Sequence, residues 1–425
     1  MKIKSFTFLI ILLTIKITNA QWSEQVSPVT SVLNSVSAVD NNNVWICGTS
    51  GVVLKTTNGG INWVSANFPN SGLPLYNIWA IDANTVVTAG SNANTAVWRT
   101  TNAGGSWTQV FTQAGGFIDG ITQRVTPNKL LMVGNPVGGR WSIWKSDDNG
   151  ATWDSTQFYL PQAGTETGFN NSLCLLPQLG AWFGTNNTKI YKRDFNSYFT
   201  EVTPSLVNSN SVWFNDGQNG MTGGTSLLKT SNGGTLWAPL AAPGSGTIQG
   251  ITGASTNWWY ARGGSIYFST NNGLIWSTDF TAPAGNYNHI TTSRTGGHLW
   301  AIRSNGGIST STGPNAIQPI SNEIPAKFSL SQNYPNPFNP SSKIKFEVPK
   351  SSFIVLTVYD VMGKELTTLV NEQLQPGVYS VDWNGSNFAS GVYFYKIVVR
   401  PAESSIGDNT SNGGFIEVKK MALLK

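Results

Sequence analysis

Apolar residues along this chain come in short runs, not in helical stripes. Val44-Trp45-Ile46-Cys47-Gly48 is one run and Val86-Val87-Thr88-Ala89-Gly90 is the next. Leu130 to Gly134, Ala181 to Gly184 and Trp258 to Ala261 continue the series. Runs this short, rich in β-branched and aromatic side chains and bounded by glycine and polar turns, predict buried strands. A shorter run comes after each: Val53-Leu54, Val97-Trp98, Ile143-Trp144, Ile190-Tyr191, and likewise Leu227-Leu228 and Ile266-Tyr267.

After each shorter run comes an eight-residue stretch with Ser/Thr first, Asp/Asn third, Gly fifth and Trp last. Its fullest copy is Ser146 to Trp153, with Asp148, Gly150 and Trp153 at the key positions. The other copies carry Asn58, Gly60 and Trp63; Asn102, Gly104 and Trp107; Asn232, Gly234 and Trp237; and Asn271, Gly273 and Trp276. A worn copy spans Lys192 to Phe199, with Asp194 in the acidic position and Asn196 where glycine is expected. The Asp or Asn side chain closes a turn by accepting backbone amides two residues on. The glycine supplies the positive φ, and the Trp starts a returning strand and packs under the hairpin. All fifteen of these residues are therefore expected to be structural.

The last aromatics of successive copies are 44, 46, 46, 38 and 39 residues apart. That period suits one four-stranded sheet per repeat. His298 to Ile302 and Ile308 to Thr312 begin a seventh repeat that has no such turn. The stretch Gln21-Trp22-Ser23-Glu24-Gln25-Val26 resembles the strand that leaves a turn, as in Trp107-Thr108-Gln109-Val110, and Trp22 precedes Trp63 by 41 residues. An N-terminal strand is thus expected to complete the last sheet. The eight-residue stretch resembles the Asp-box of sialidase-type and related β-propellers. The style of Lys55 to Gly60 is similar to photosystem II assembly-factor propellers, a family of assembly or binding proteins. The expected fold is all-β: a seven-bladed β-propeller over residues 21–313, a linker at 314–327, and a small Ig-like β-sandwich at 328–425.

The texture changes after Pro325. Ile344, Phe346 and Val348 alternate, as do Leu356 and Val358, predicting half-buried strands. Four motifs then occur in order: Asn333 to Pro340, including Pro335 and Pro337; Tyr359 to Glu365, around Gly363; Ala389 to Lys396, around Gly391; and a tail from Lys419-Lys420 to Lys425. Together they resemble the C-terminal sorting domain of the type IX secretion system. The resemblance implies export across the outer membrane, with that secretion machinery as a partner.

Residues 1–20 read as a signal peptide, with Lys2 and Lys4 ahead of the apolar core Phe6 to Leu13. Lys16 interrupts that run, and no later segment approaches the ~20 apolar residues of a transmembrane helix. The chain is then expected to reach the medium or the outer-membrane surface through the periplasm. Of the formal charge of +5, three units lie in residues 1–20, and residues 21–320 are near neutral. That balance argues against nucleic-acid binding. Cys47 and Cys174 fall in corresponding strands of distant repeats and are expected to be buried and unbridged.

A propeller's ligand face is built by loops between blades and by loops after the Val44-type strands. Arg140, Arg262 and Arg303 lie there, with Glu166, Tyr159 and Tyr287 in inter-blade loops. The sialidase resemblance would use such residues as an arginine clamp, a Tyr–Glu nucleophile pair and an Asp acid. The Arg-Ile-Pro-type motif of that family is absent, and Glu24, Glu166 and Glu201 are the only glutamates of the propeller. A xyloglucanase-type site needs paired carboxylates, and no spacing selects a pair among Asp119, Asp216 and Asp279. His289 and His298 lack partners at metal-ligand spacing, and there is no Gly-x-Gly-x-x-Gly phosphate loop. No metal or cofactor is expected. The leading reading is a binding module for an unknown protein or glycan, and the alternative is a secreted glycoside hydrolase.

Overall fold

The computed structural model describes residues 22–424 apart from 125–128, 157, 177–178, 194–198, 203–207, 255, 295–296, 313–317, 322–324, 351, 375, 386–387 and 402–414. The expected signal peptide and most of the worn turn at 194–198 lie outside the described residues.

The predicted runs are strands, and they gather into small antiparallel sheets in chain order. The first sheet is Leu33–Ala38, Val44–Gly48, Val53–Thr56 and Val64–Ser65. The second is Leu75–Ala80, Val86–Ser91, Asn94–Thr100 and Thr108–Ala114. Ile118–Gln123, Leu130–Val137 and Arg140–Ser146 form the third, with single bridges from Arg140 to Pro161 and Lys145 to Asp154 along its outer edge. The fourth starts at Gly168–Leu176, the fifth at Ser211–Phe214, the sixth at Ile248–Ala254 and the seventh at Tyr287–Thr292. These inner strands touch one another in order, and the seventh returns to the first. The result is a β-propeller. Among the described residues there is no helix long and apolar enough to cross a membrane.

The seventh sheet takes its outer strand from the other end of the chain. Trp22–Gln25 pairs antiparallel with Ile308–Thr312, Trp22 opposite Ser311 and Gln25 opposite Ile308. Trp22 is buried, as its likeness to Trp107 predicts, whereas Val26 lies beyond the strand and is 87% exposed. The added strand covers the outer edge of Ile308–Thr312 and leaves a short four-residue edge in its place.

The core is divided among the seams between sheets. Side chains on a strand alternate sides, so each strand feeds two seams. Ile46 packs with Trp300 and Ile302 of the seventh sheet, while its neighbours Trp45 and Cys47 pack with Leu75 and Ile78 of the second. Seven such clusters fill the seven seams among the described residues. Cys47 and Cys174 are buried, free thiols within two of them. A one-residue slip of register would exchange the two faces of a strand and empty both seams.

The repeated turns differ from expectation in three respects. Asp148 Oδ1 accepts the amides of Ala151 and Thr152, three and four residues on, at 3.0 and 2.9 Å. The first residue also takes part: Ser146 Oγ donates to Asp148 at 2.8 Å and accepts the Gly150 amide at 2.8 Å. The closing Trp reaches beyond its own hairpin to the preceding sheet. Trp107 donates its indole N–H to Ala66 O at 2.8 Å and meets Trp45 edge-on, and Trp63 meets Trp300 edge-on. Gly60 has φ +87, and a Cβ there would come within 2.9 Å of the Trp300 ring. Glycine is thus needed for conformation and for the close approach of two sheets.

Residues after 317 form two four-stranded sheets around one core that includes Phe346, Leu356, Trp383 and Tyr395. Gln318–Ser321, inside the stretch read as a linker, is a strand paired with Gly377–Asn384. The proline-rich segment from Asn333 is strapped to the last strand, Ile416–Leu423. Phe338 N donates to Ala422 O, Leu424 N to Phe338 O, and Ala422 N to Asn336 Oδ1, each at 2.9 Å. Asn333 donates its side-chain amide to Pro335 O and Ser342 Oγ. Motifs far apart in sequence therefore form one surface: Lys420 O accepts Gln332, and Lys419 pairs with Glu417.

Candidate functional site

The three arginines occupy equivalent turns, and each has a different fate. Arg140 is exposed at the start of its strand. Arg262 is held by backbone carbonyls: Nε donates to Gly246 O at 2.8 Å, Nη1 to Ala242 O at 3.2 Å and Nη2 to Thr225 O at 2.9 Å. Arg303 is buried and forms a two-pronged pair with Glu24 of the N-terminal strand. Its guanidinium lies 5.6 Å from the Tyr287 ring centre. Tyr287 Oη and Ser309 Oγ are 2.9 Å apart, and Ser309 donates to Glu24 at 2.7 Å. Burial pushes the Tyr287 phenol up to about 12. Glu24 neutralises Arg303, so this cluster spends its charge internally.

Glu166 is buried between the third and fourth sheets. Its Oε1 accepts Trp141 Nε1 at 3.0 Å, Tyr191 Oη at 2.7 Å and the Ala163 amide at 2.8 Å. Tyr159 is exposed. The structure brings Arg303 to Tyr287; Glu166 has partners of its own, and among the described residues neither Arg140 nor Arg262 forms an ion pair with it.

A different set of residues shares one place in the ring. Five inner strands carry a bulge at the same register, and the extra residue is Asn34, Tyr76, Asp119, Gln249 or Asn288. In the fourth sheet the irregularity is longer and takes in residues 169–172. Bulges re-aim side chains and collect near functional sites. A sequence signal exists: Leu33-Asn34-Ser35-Val36, Leu75-Tyr76-Asn77-Ile78, Ile118-Asp119-Gly120-Ile121, Ile248-Gln249-Gly250-Ile251 and Tyr287-Asn288-His289-Ile290 share a pattern. Each sets a large apolar residue, a variable one, a small or polar one, and then a β-branched one.

Side-chain amides at this level bond across the ring. Asn77 Nδ2 donates to Asp119 O at 2.9 Å and to Asn170 Oδ1 at 2.6 Å, and its Oδ1 accepts the Ile121 amide at 3.1 Å. Asn171 Nδ2 donates to Asn34 O at 2.8 Å, and Asn170 Nδ2 reaches the same oxygen at 3.3 Å. The fourth sheet is thereby tied to the first and second, across the central channel. Asn288 donates to Leu33 O at 2.8 Å, and His289 Nδ1 accepts the Val36 amide at 3.2 Å, so His289 is neutral there. Desolvation lowers its pKa to about 4. Satisfied amide networks of this kind fix a polar surface in place.

Comparison with known proteins agrees with this architecture. The family of photosynthesis system II assembly factor YCF48 matches residues 18–238, and the secretion system C-terminal sorting domain matches residues 332–405. A solved structure titled YCF48 bound to D1 peptide superposes with a TM-score of 0.54 at 17% identity, covering 69% of this chain and 96% of that one. YCF48 from Cyanidioschyzon merolae gives a TM-score of 0.53 at 17% identity, covering 68% and 98%. A search of curated proteins finds no match. The sorting domain indicates export to the cell surface or the medium. The chain belongs to the YCF48 assembly-factor family of β-propellers and carries a type IX C-terminal sorting domain.

Proposed function

We propose that this chain is an exported interaction module. Seven blades, one per sheet, hold a partner polypeptide at the bulged inner ring. An Ig-like sandwich of about a hundred residues addresses the chain to the type IX machinery after a signal peptide has delivered it to the periplasm. The observation that carries the binding role is the shared bulge, which sets Asn34, Tyr76, Gln249 and Asn288 at one level of the ring. The related propeller solved with a D1 peptide supports the same use of the fold. The Asp-box turns are scaffold in this reading, and photosynthesis does not follow for an exported chain.

Panning a displayed peptide library against the immobilised full chain tests it. Selected peptides should lose at least tenfold in affinity with Tyr76→Ala or Asn288→Ala and be indifferent to Thr152→Ala in a turn. Failure to select any peptide, or equal sensitivity to the turn variant, would refute the reading. For export, a chain lacking residues 328–425 should remain in the periplasm of a host with type IX machinery, as fractionation and immunoblotting would show.

A further inference from the structure

Asp119 is the one acidic residue among the five single-residue bulge positions. It is only 3% exposed, and neither carboxylate oxygen receives a hydrogen bond among the described residues. Its backbone oxygen is satisfied by Asn77, so the deficit belongs to the side chain alone. The carboxylate lies against Gly168 of the neighbouring inner strand. A Cβ on Gly168 would fall 2.2 Å from Oδ2 and 3.1 Å from Oδ1, so glycine leaves this carboxylate its room. The Tyr76 and Phe117 rings meet at 4.7 Å, and both remain partly exposed, as do Gly168 and Phe169. A buried carboxylate without donors is unfavourable unless it takes up a proton, and each such group requires an explanation. The corresponding bulge positions hold neutral Asn, Tyr and Gln, so the fold itself does not demand a carboxylate.

We propose that Asp119 anchors a cationic group, the ammonium of a lysine or the guanidinium of an arginine side chain, presented by the polypeptide partner between the second, third and fourth sheets. This rests on the interaction-module reading and names its chemistry. The cation supplies the donors that Asp119 lacks, and the partly exposed Tyr76–Phe117 pair, contributed by the bulge of the second sheet and the residue just before the inner strand of the third, would suit the apolar stem of such a side chain. Burial raises the Asp119 carboxyl well above its usual range. Binding of a cation therefore releases a proton wherever the free site is protonated, and affinity rises with pH until the carboxyl ionises unaided.

Titration of the full exported chain with n-butylammonium and, separately, n-butylguanidinium tests this by saturation-transfer NMR. Saturable binding of at least one probe is expected, strengthening as pH rises. It should weaken at least tenfold in Asp119→Asn, which keeps the shape and removes the charge, and in Gly168→Ala, which displaces the carboxylate. Thermal unfolding serves as the fold control: Asp119→Asn should melt no lower than the parent chain. Equal binding by Asp119→Asn, or no saturable binding of either probe, overturns the proposal. Selected peptides provide a second arm, since replacing their Lys and Arg by Gln should matter only when Asp119 is present. Peptides that bind regardless of their cations would overturn the Asp119 anchor and leave the interaction module standing. Small cations that bind where no peptide does would leave the anchor standing and remove the interaction module.

Discussion

In the second sheet the outer strand, Thr108–Ala114, is delivered by an eight-residue turn directly from Asn94–Thr100. In the seventh sheet the outer strand, Trp22–Gln25, pairs with residues almost the whole propeller away. Closing so long a loop costs roughly 3 kcal/mol more chain entropy than closing a turn, at about 0.6 kcal/mol per doubling of length. Only four residues pair, so side chains carry the difference. Trp22 stacks on Phe280 and donates its indole N–H to Asp279 at 2.7 Å; Glu24 takes Arg303 and Ser309. Where chain continuity is missing, the fold uses an aromatic anchor and a buried ion pair. Where continuity is present, it uses exposed turn bonds that have far less to hold.

Trp22→Ala breaks this comparison hardest. Truncating a large buried aromatic costs about 3–5 kcal/mol, and it also strips Asp279 of a donor. Trp107→Ala removes a similarly buried ring but leaves its strand tethered. Native-state hydrogen exchange separates the two. Trp22→Ala should deprotect the amides of Ile308–Thr312 selectively, whereas Trp107→Ala should lower global stability without singling out Asn94–Thr100. Equal local deprotection would show that tethering is irrelevant.

Glu24→Ala comes next. It leaves the Arg303 side chain, 4% exposed, without its partner, whereas Glu24 itself keeps about a third of its surface. Removing one partner of a buried pair costs about 3–5 kcal/mol, and the exposed half of this pair places the effect near 3. Adding Arg303→Leu should recover part of the loss, because an apolar side chain needs no counter-charge. Urea unfolding midpoints of the single and double variants decide it, and a double variant no more stable than Glu24→Ala would sink the account.

Most of this fold was legible because period-2 runs and a repeated turn report local physics. The second strand of the fifth sheet, Gly220–Gly223, was missed because Gly-Met-Thr-Gly carries one large apolar side chain. A Cβ on Gly223 would lie 2.6 Å from Ile248, so packing against the sixth sheet keeps that strand small. The bulge positions are read for what they are only when the five segments are aligned, because taken singly an inserted residue at a strand start reads as loop. The arginines misled in the opposite direction. Arg303 falls on the expected ligand face in sequence, yet it is buried against Glu24, 279 residues away.

Acid should expose the same contrast between seams. His289 is desolvated beside the seam of the seventh and first sheets, and its pKa falls from 6.5 to about 4. A group whose folded pKa is depressed contributes stability that is full above its unfolded pKa and lost as pH falls through the folded value. The window is therefore about pH 6.5 down to 4. Asp119 and Asp279, both raised by burial, have the opposite sign and gain as pH falls. Melting temperature followed from pH 7 to pH 4.5 should show a downward component that His289→Gln removes, since a Gln side chain can accept the Val36 amide without titrating. An unchanged profile in that variant would exclude His289 as the source.

The smallest effect belongs to a turn. Asp148 accepts two backbone amides, and its side chain also bonds Ser146 and Thr152, all at an exposed hairpin whose strand is tethered on both sides. Asp148→Ala should cost about 1 kcal/mol, the net worth of hydrogen bonds that water can partly replace. Asp148→Asn should cost less than half of that, because Asn58 and Asn232 hold the equivalent position through the same amide geometry. Neither variant should change hydrogen exchange in the seventh sheet, since the third sheet does not depend on the N-terminal latch. A loss of several kcal/mol in Asp148→Ala, read from urea midpoints, would mean that the turns bear as much of the ring's stability as the latch does, and the contrast between tethered and untethered strands would fail.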